Sequence, residues 1–479
     1  MALNVELGPV RIGLMGIGLD TYWAQFAGLR DRLEGYQRFI AERLRGFGVE
    51  VVDAGLVDNP DMARHTADLF RENRVELVCI YISTYALSHT VLPVAQGAGA
   101  PALILNLQPV PAIDYAKFNA LGDRGLMTGE WLAHCQACAA PEIANVFNNA
   151  DIDYGIVTGW LEEGCVWQEI RDWCTAASVH AALRNTRIGI LGHYYCGMLD
   201  VYTDVTRLAA VFGCHFELLE MDRLKALRDG VSGDDTAKKR RQFEAEFAVS
   251  PECGEAELER AARTSCALDA LTAEQCLGAL AYYYEGQSGG DHENIVTSVI
   301  AGNTLLTAHH IPVAGECEVK NVVAMKILDC LGAGGSFSEF YAMDFTDDVI
   351  LWGHDGPAHT AIAEGPVGLV PLPVYHGKPG KGLSIQMTVK HGPVTLLAVV
   401  QGRGGKTFLL CAEGESVAGP VLEIGNTNSR YRFSIPARDF VNRWTRAGPA
   451  HHCAIGVGHR AGMIEKLAGL WKIECIRVC

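Results

Sequence analysis

Three side chains with the chemistry of metal ligands lie between residues 311 and 359: Glu316, Glu339 and His354. Each lies where a run of apolar residues gives way to polar or glycine-rich sequence. Carboxylate oxygens and imidazole nitrogens suit Mn²⁺, Mg²⁺ or Co²⁺ better than they suit metals that prefer thiolates. The sequence therefore predicts a divalent-metal site built from these three residues and at least one further ligand.

The segments around these residues are predicted to place them at the ends of regular elements. Glu316 ends the run PVAGE and precedes VKNVVAMKILDCL, whose apolar spacing predicts a helix that GAGG terminates. Glu339 lies in SFSEFYAMDF, which alternates as a strand does, and His354 ends the apolar strand DDVILWGH. Since α/β proteins build their sites at strand ends, this stretch is predicted to form the site.

The C-terminal sequence GPAHHCAIGVGH can supply a further ligand from His451, His452 or His459. Taken in order, the motifs GE, SFSEFY, GH and AHH resemble those of the L-arabinose isomerase and L-fucose isomerase superfamily. In that superfamily these motifs hold Mn²⁺, with the second histidine of the His-His pair as a ligand. The resemblance implies four metal ligands here: Glu316, Glu339, His354 and His452.

The resemblance also implies an activity and an assembly. It predicts a metal-dependent aldose–ketose isomerase for a small sugar of the pentose or 6-deoxyhexose type. It further predicts a homo-oligomer, a hexamer or an assembly based on trimers, with active sites at the subunit interfaces. In arabinose isomerases a histidine reaches substrate from a helical stretch that aligns with ACAAPEIA, and Cys138 replaces that histidine here. This departure leaves the identity of the sugar open.

Four such ligands would leave positions on the ion for a sugar carbonyl and its neighbouring hydroxyl. A divalent ion polarises the carbonyl and acidifies the adjacent C–H bond. Glu316 and Glu339 are predicted to act also as base and acid through an enediol or enediolate, with Glu316 assigned as the base. His451, next to His452, is predicted to contact the substrate.

Rival interpretations exist for both the ligands and the function. Glu285, Asp291 and His292 in EGQSGGDHEN form an alternative set of ligands, although the surrounding glycines favour a solvated loop. A cytoplasmic sugar-binding protein without turnover is one alternative function. A metal-dependent hydrolase or aldolase with the same ligands is another. A pure binding protein would keep its sugar affinity in EDTA and show no turnover.

The composition of the chain excludes several classes of partner. The 479 residues are 49% hydrophobic and 20% charged, with a net charge of −16, which argues against nucleic-acid binding. The sequence has neither a basic segment followed by an apolar segment at its start nor an apolar run approaching the ~18 residues of a membrane span. The protein is therefore predicted to be cytoplasmic, with its 16 cysteines mostly reduced and buried.

The order of predicted elements indicates three domains. Strands alternate with helices through the first two thirds of the chain, which predicts two Rossmann-like, doubly wound parallel sheets in residues 1–175 and 176–348. Glu316 and Glu339 fall in the second of these domains. From residue 383, three apolar runs joined by HG and GRGG predict an antiparallel β-barrel or sandwich. This domain, residues 349–479, contains His354 and His452.

Two loops at predicted strand ends are candidates for sugar contacts. After the first strand, GIGLDTYW resembles the start of a dinucleotide motif but lacks its third glycine, so Tyr22 and Trp23 are predicted to face a substrate instead. The loop GHYYCGMLDVYTD after the first strand of the second domain places His193, Tyr194, Met198 and Asp200 at the same kind of edge, and His193 and Tyr194 are predicted to contact the substrate. Cys135 and Cys138 form a lone CxxC, which could also be a redox pair.

Overall fold

The computed structural model describes residues 7–375 and 380–479, and the chain separates into two compact units. The N-terminal unit comprises Leu7–Ala181 with Glu465–Lys472, and the C-terminal unit comprises Ala182–Ile464 with Ile473–Cys479. The two predicted boundaries, at residues 175/176 and 348/349, stay predictions.

The N-terminal unit contains a parallel sheet of five strands in the order β2-β1-β3-β4-β5. The strands are β1 (Arg11–Ile17), β2 (Glu50–Val57), β3 (Leu77–Tyr81), β4 (Ala102–Gln108) and β5 (Tyr154–Trp160). The helices are α1 (Thr21–Gln25), α2 (Leu29–Arg45), α3 (Pro60–Glu72), α4 (Leu92–Gly97), α5 (Tyr115–Ala120), α6 (Arg124–Leu132), α7 (Ala139–Asn149) and α8 (Gly164–Arg184). Strand β3 is buried along its whole length, as expected for the centre of a parallel sheet.

The C-terminal unit begins with a second parallel sheet, in the order β10-β9-β6-β7. The strands of this region are β6 (Arg187–Gly192), β7 (His215–Leu219), β8 (Ala248–Val249), β9 (Ala279–Tyr283) and β10 (Val313–Ala314). Its helices are α9 (Val205–Phe212), α10 (Met221–Asp229), α11 (Gly233–Glu246), α12 (Glu255–Glu274), α13 (Asp291–Val296) and α14 (Ile300–Ala308). The strand order reverses between β6 and β9, so a crevice opens beyond their carboxyl ends.

A closed antiparallel barrel of six strands completes the C-terminal unit, in the cyclic order β15-β18-β11-β12-β17-β16. The elements of this region are α15 (Val319–Cys330), β11 (Gly334–Asp344), β12 (Val349–His354), β13 (Gly368–Leu372), β14 (Gly382–Gln386), β15 (Gly392–Gln401), β16 (Thr407–Val417), β17 (Thr427–Phe433), α16 (Ala437–Ala447), β18 (His452–Val457) and β19 (Glu474–Arg477). Helix α17 (Ala461–Leu470) begins in this unit, and its residues from Glu465 onward belong to the N-terminal unit. Strand β19 adds to β16 in parallel, and β14, β13 and β8 form a small separate sheet.

The predicted fold class, two parallel α/β sheets followed by an antiparallel barrel, is confirmed. Two details differ from the sequence-based prediction. Strand β14 pairs with β13, whereas a meander would have paired it with β15. Strand β11, which contains Glu339, is itself a barrel strand although it lies ahead of residue 349. Alternation of apolar residues identifies a strand but does not identify its partner, which explains both differences.

Helix α15 is buried on every side, and all twelve of its residues are classed as buried. The sequence predicted only one inner apolar side. The helix contacts barrel strands β11, β15 and β18 on the one hand and strand β9 of the parallel sheet on the other. Its polar residues Lys320, Lys326 and Asp329 are therefore also enclosed, and each requires a charged partner nearby.

Gly353 gives a test of how closely the barrel strands approach one another next to His354. A Cβ atom added here would lie 2.1 Å from the Thr427 carbonyl oxygen and 2.6 Å from Asn428 Cβ. We expect Gly353→Ala to lower the free energy of unfolding by about 1–3 kcal/mol, the usual effect of overpacking, in urea denaturation. Gly233→Ala, where a Cβ meets nothing within 4 Å, is the control. Equal stability of the two variants would contradict the packing described.

Candidate metal centre

Glu316 lies just beyond β10, at the carboxyl edge of the second parallel sheet, in a strained backbone conformation. Glu316 and Cys317 have φ angles of 55° and 56°, in the left-handed region that side chains with a Cβ rarely adopt. Two hydrogen bonds hold this turn, from Cys317 N to Tyr282 O at 2.9 Å and from Glu318 N to Gly315 O at 3.0 Å. Such strain costs about 1–3 kcal/mol per residue and concentrates at functional sites.

Three adjacent barrel strands supply the other predicted ligands. On β11, Glu339 is paired with His452 of β18 on one side and with Gly353 of β12 on the other. His354 is the next residue along β12 and ends that strand. Directly paired residues on antiparallel strands lie within about 4.5–5.5 Å, so the barrel register brings Glu339 and His452 together. His354 lies one residue beyond the paired position, at the end of β12, and its ligand atom is within 4.8 Å of those of Glu339 and His452.

The four predicted ligands converge, and His452 is common to two overlapping groups. The ligand atoms of Glu316, His451 and His452 lie within 4.8 Å of one another, as do those of Glu339, His354 and His452. Glu316 Oε2 is 3.3 Å from His452 Nε2 and 3.6 Å from His451 Nε2. Among the described residues, neither Glu316 Oε2 nor the ring nitrogens of His452 have a hydrogen-bond partner, although all three atoms are buried.

Burial differs between the imidazoles and the carboxylates of this cluster. The side chains of His452 and His354 are 0% and 7% exposed, whereas those of Glu316 and Glu339 are 18% and 24% exposed. A cavity borders Glu316 and His354, and its other lining residues include Tyr195, Tyr282, Tyr283 and Asp355. A small polar molecule would therefore approach from the carboxylate side, with the imidazoles behind.

Phe337 fixes the two buried imidazoles. Its ring centre is 4.3 Å from that of His354 and 4.4 Å from that of His452. The backbone N–H of Gly356 donates to His354 Nδ1 at 2.9 Å, and Asp355 Oδ1 lies 3.3 Å from the same nitrogen. These contacts limit rotation of the ring, which is the arrangement expected of a ligand that must keep its direction.

The charges in the cluster shift the pKa values of its members. Burial raises the pKa of Glu316, but its contacts with His451 and His452 outweigh burial and the net shift is downward. Burial lowers the pKa of His354, and the neighbouring His452 lowers it further. For His451, Glu316 and Asp200 overcome the effect of burial and raise the pKa to about 9. Glu316 is thus ionised at neutral pH, as a metal-binding carboxylate must be.

Glu318 and Lys320 form a buried ion pair behind the cluster that sequence reasoning missed. Lys320 Nζ lies 2.9 Å from Glu318 Oε1, and their side chains are 5% and 0% exposed. Glu318 Oε2 is 3.8 Å from Nδ1 of His452, on the opposite side of the ring from Glu316. At this distance Glu318 makes no hydrogen bond to His452. Burial lowers the pKa of His452, but the charges of Glu316 and Glu318 act on the ring, outweigh burial and raise that pKa.

Asp200 is the other supporting residue, and it acts on His451. Its Oδ2 accepts hydrogen bonds from the His451 backbone N–H at 3.0 Å and from Nδ1 at 2.6 Å. The remaining nitrogen, Nε2, is 3.6 Å from Glu316 Oε2 and 3.8 Å from Glu339 Oε2. His451 thus lies near both carboxylates. Its contact with a substrate stays a prediction.

The loop after β6 supplies Asp200 and Tyr195 to this region, whereas the sequence favoured His193 and Tyr194. His193 packs against Tyr283, with ring centres 5.5 Å apart, and its Nδ1 lies 2.8 Å from the Tyr194 carbonyl. The Tyr194 hydroxyl donates to Thr203 O at 3.3 Å. The assignment of His193 and Tyr194 as substrate contacts stays a prediction.

The remaining predicted sugar contacts belong to the N-terminal unit. Tyr22 and Trp23 lie on α1, and Trp23 Nε1 donates to Asp58 Oδ2 at 2.7 Å. Cys138 is exposed and precedes α7, with its sulfur 2.9 Å from that of the buried Cys135. Their roles at a substrate, and the role of the two cysteines as a redox pair, stay predictions. Burial raises the pKa of the Cys135 thiol to about 12, whereas reactive cysteines have a lowered pKa.

The rival ligand set is not assembled as one cluster. The Tyr283 hydroxyl donates to Glu285 at 2.9 Å, His292 pairs with Asp222 at 3.0 Å, and Asp291 lies 3.3 Å from Lys225. Each member is thus engaged by a different partner. The glycines that separate Glu285 from Asp291 allow this divergence.

Comparison with known proteins adds little to this description. Neither a protein-family model nor a curated protein matches the chain. Among solved structures, a sugar ABC transport system substrate-binding protein from Bordetella parapertussis 12822 shows 12% identity and a TM-score of 0.16, over 68% of this chain and 83% of that one. A TM-score this low supports neither a shared fold nor a shared function. Among the described residues, no helix is long and apolar enough to cross a membrane.

Proposed function

We propose that this protein is a divalent-metal-dependent aldose–ketose isomerase acting on a small sugar. The observation that supports it is that Glu316, Glu339, His354 and His452 come from four separate elements and form two overlapping groups of ligand atoms that share His452. Two carboxylates and two imidazoles suit Mn²⁺, with Mg²⁺ or Co²⁺ as alternatives. The resemblance of the four motifs to the L-arabinose and L-fucose isomerases supports the same reaction class.

The residues present fit a bound cation. The carboxylates of Glu316 and Glu339 lie close to the imidazole of His452. Among the described residues, the buried Glu316 Oε2 and both ring nitrogens of His452 lack hydrogen-bond partners. When bound, the ion would polarise the sugar carbonyl and acidify the neighbouring C–H bond. Unpaired buried polar atoms are costly in a folded protein, and a ligand that engages them recovers that cost.

The protein's own residues would move the protons. An ionised carboxylate, which we assign to Glu316, removes the proton from the carbon next to the carbonyl, and the proton returns to the former carbonyl carbon to complete the isomerisation. Glu339 Oε2 lies 3.8 Å from the same His451 nitrogen that Glu316 approaches, and Glu339 can exchange a proton with the sugar oxygens. His451, held by Asp200 with Nε2 toward both carboxylates, is placed to donate to a substrate oxygen. Positioned proton transfers of this kind typically contribute about 10²–10⁴-fold each.

Removal and return of the metal tests this function. We expect EDTA-treated protein to show no interconversion of aldopentoses or 6-deoxyaldohexoses, and Mn²⁺ to restore turnover of at least one sugar. The readout is ketose formation, with ¹H NMR in D₂O reporting exchange at the carbon next to the carbonyl. A homo-oligomer in a cytoplasmic setting is part of the same proposal, and light scattering of the active fraction measures the subunit number.

Three outcomes of the sugar panel contradict the proposal in different ways. Tight metal binding without turnover of any aldose would keep the ligand set and exclude the isomerase. Sugar binding that persists in EDTA without turnover would favour a binding protein. Metal-dependent cleavage of a carbon–carbon bond or of an ester, without aldose–ketose exchange, would favour an aldolase or a hydrolase.

A further inference from the structure

A second group of potential ligands lies apart from the four residues above, where the ends of two helices meet the segment after β12. Its members are His310, just beyond α14, Asp329, in the last turn of α15, and His359. The three ligand atoms lie within 4.8 Å of one another. Carboxyl ends of helices favour positive charge, so the two helix termini make this position attractive to a cation.

The buried imidazole of His359, which lacks hydrogen-bond partners within the described part of the chain, indicates that a ligand binds here. It is 0% exposed, and among the described residues neither of its ring nitrogens has a hydrogen-bond partner. Its Nε2 lies 3.8 Å from Asp329 Oδ1, which is too long for a hydrogen bond. Its backbone N–H donates to Ser336 Oγ at 3.3 Å. A buried imidazole aimed at a buried carboxylate without contacting it leaves room for an ion between them.

The two carboxylate oxygens of Asp329 contact different partners, a lysine and a histidine. Asp329 Oδ2 accepts from Lys326 Nζ at 3.2 Å, and the same Lys326 amine donates to the His310 carbonyl at 2.7 Å. Asp329 Oδ1 forms a hydrogen bond with His310 Nδ1 at 2.7 Å, which a bound ion would replace, and it lies 3.8 Å from His359 Nε2. One carboxylate oxygen is thus fixed by a cation behind it while the other remains directed at two nitrogen ligands, the usual arrangement of an oriented metal-binding carboxylate.

We propose that His310, Asp329 and His359 form a second metal site, which takes Zn²⁺. Two histidines and one carboxylate with an open fourth position match three-ligand zinc sites in proteins. Zinc bonds of about 2.0–2.2 Å place two ligands of a tetrahedral ion about 3.3 Å apart. The observed separations of 2.7 Å and 3.8 Å bracket that value. The His310 side chain is 38% exposed, so solvent can reach the fourth position.

The second site has a structural consequence for the first. His359 and the predicted ligand His354 lie on the same short segment, separated by four residues. Gly334 lies against the His359 ring at the start of β11, the strand that contains Glu339. A zinc ion bound at His359 would therefore hold both barrel strands near the first site without taking part in the reaction.

Zinc counting in the full-length protein tests the site independently of the proposed activity. The background variant is Glu316→Gln with His452→Gln, which removes two ligands of the first cluster. After EDTA treatment and equilibration with Zn²⁺, we expect about one retained zinc per chain by mass spectrometry of the metal. Adding His310→Ala should weaken that binding by about 100-fold or more, since even residues behind a ligand contribute about 10–100-fold. Co²⁺ in place of Zn²⁺ should give visible absorption bands that the same substitution removes.

His309→Ala is the matched control, because His309 is exposed and adjacent to His310. It should leave zinc binding unchanged, and circular dichroism of both variants checks that they are folded. No zinc retained by the background variant would overturn the proposal. Equal zinc binding by the His310→Ala and His309→Ala variants would also overturn it. Asp329→Asn, which keeps the shape of the side chain, provides a second substitution that should lose the zinc.

Discussion

Glu316→Gln should lower kcat by about 10²–10⁴-fold or more, because it removes both a proton-transfer group and a metal ligand. Glutamine keeps the shape of the side chain, so the left-handed backbone at this residue need not change. The variant should also bind Mn²⁺ more weakly, which equilibrium titration followed by Mn²⁺ electron paramagnetic resonance measures directly. Loss of affinity and loss of turnover are both expected, since one carboxylate serves both roles.

The control for Glu316→Gln is Asp291→Asn. Asp291 belongs to the rival ligand set and is exposed beside Lys225, so its loss should leave Mn²⁺ affinity and turnover unchanged. If Asp291→Asn lost Mn²⁺ binding and Glu316→Gln retained it, the metal site would have to lie in the loop after β9. Retained turnover in Glu316→Gln with Mn²⁺ bound would exclude Glu316 as the base.

Lys320→Met should lower the free energy of unfolding of the metal-free protein by about 3–5 kcal/mol. The substitution leaves the Glu318 carboxylate, which is 0% exposed, without its cation 2.9 Å away. It also removes the hydrogen bonds from Lys320 Nζ to the Asp200 carbonyl at 2.9 Å and to Thr203 Oγ1 at 3.2 Å. Urea denaturation followed by circular dichroism measures the change.

A double-mutant cycle separates the charge effect from the packing effect. Glu318→Gln combined with Lys320→Met removes both charges, so the double variant should be more stable than Lys320→Met alone. Lys225→Met, which removes a surface lysine near Asp229, should leave stability nearly unchanged. If Lys320→Met alone is as stable as the unmodified protein, Glu318 and Lys320 are not the buried pair described.

The positions of Glu316, Glu339 and His354 within their elements could be predicted from local sequence. Glu316 and His354 each end an apolar run, and Glu339 interrupts one, so the position of each residue in its element was visible in the sequence. His452 was selected from three C-terminal histidines only through the resemblance. Its pairing with Glu339 depends on the register of two strands more than a hundred residues apart, which local patterns do not encode.

The supporting residues were harder to predict for a physical reason. Lys320 and Asp329 lie within an otherwise apolar helical pattern, where charged residues ordinarily mark the solvent face. Helix α15 has no such face because the barrel and the parallel sheet enclose it. A charged side chain in a helix that is buried on every side needs a partner of opposite charge. Lys320 has Glu318 as that partner, and Asp329 has Lys326 and the histidines of the proposed second metal site.

The loop after β6 illustrates a limit of the same reasoning. The rule that ligands bind beyond the carboxyl ends of parallel strands identified the loop but not which of its side chains face the site. His193 and Tyr194 come first after the strand, yet Asp200, several residues later, reaches His451. The path of an irregular loop depends on its tertiary contacts, here including the hydrogen bond from Lys320 to the Asp200 carbonyl.

The central claim is that Glu316, Glu339, His354 and His452 hold one divalent ion. The most direct measurement is anomalous diffraction from crystals of the Mn²⁺-loaded protein, with data collected on both sides of the manganese absorption edge. We expect a manganese peak within bonding distance of the two carboxylates and of ring nitrogens of the two histidines. Manganese bound elsewhere, with no peak among these four side chains, would contradict it.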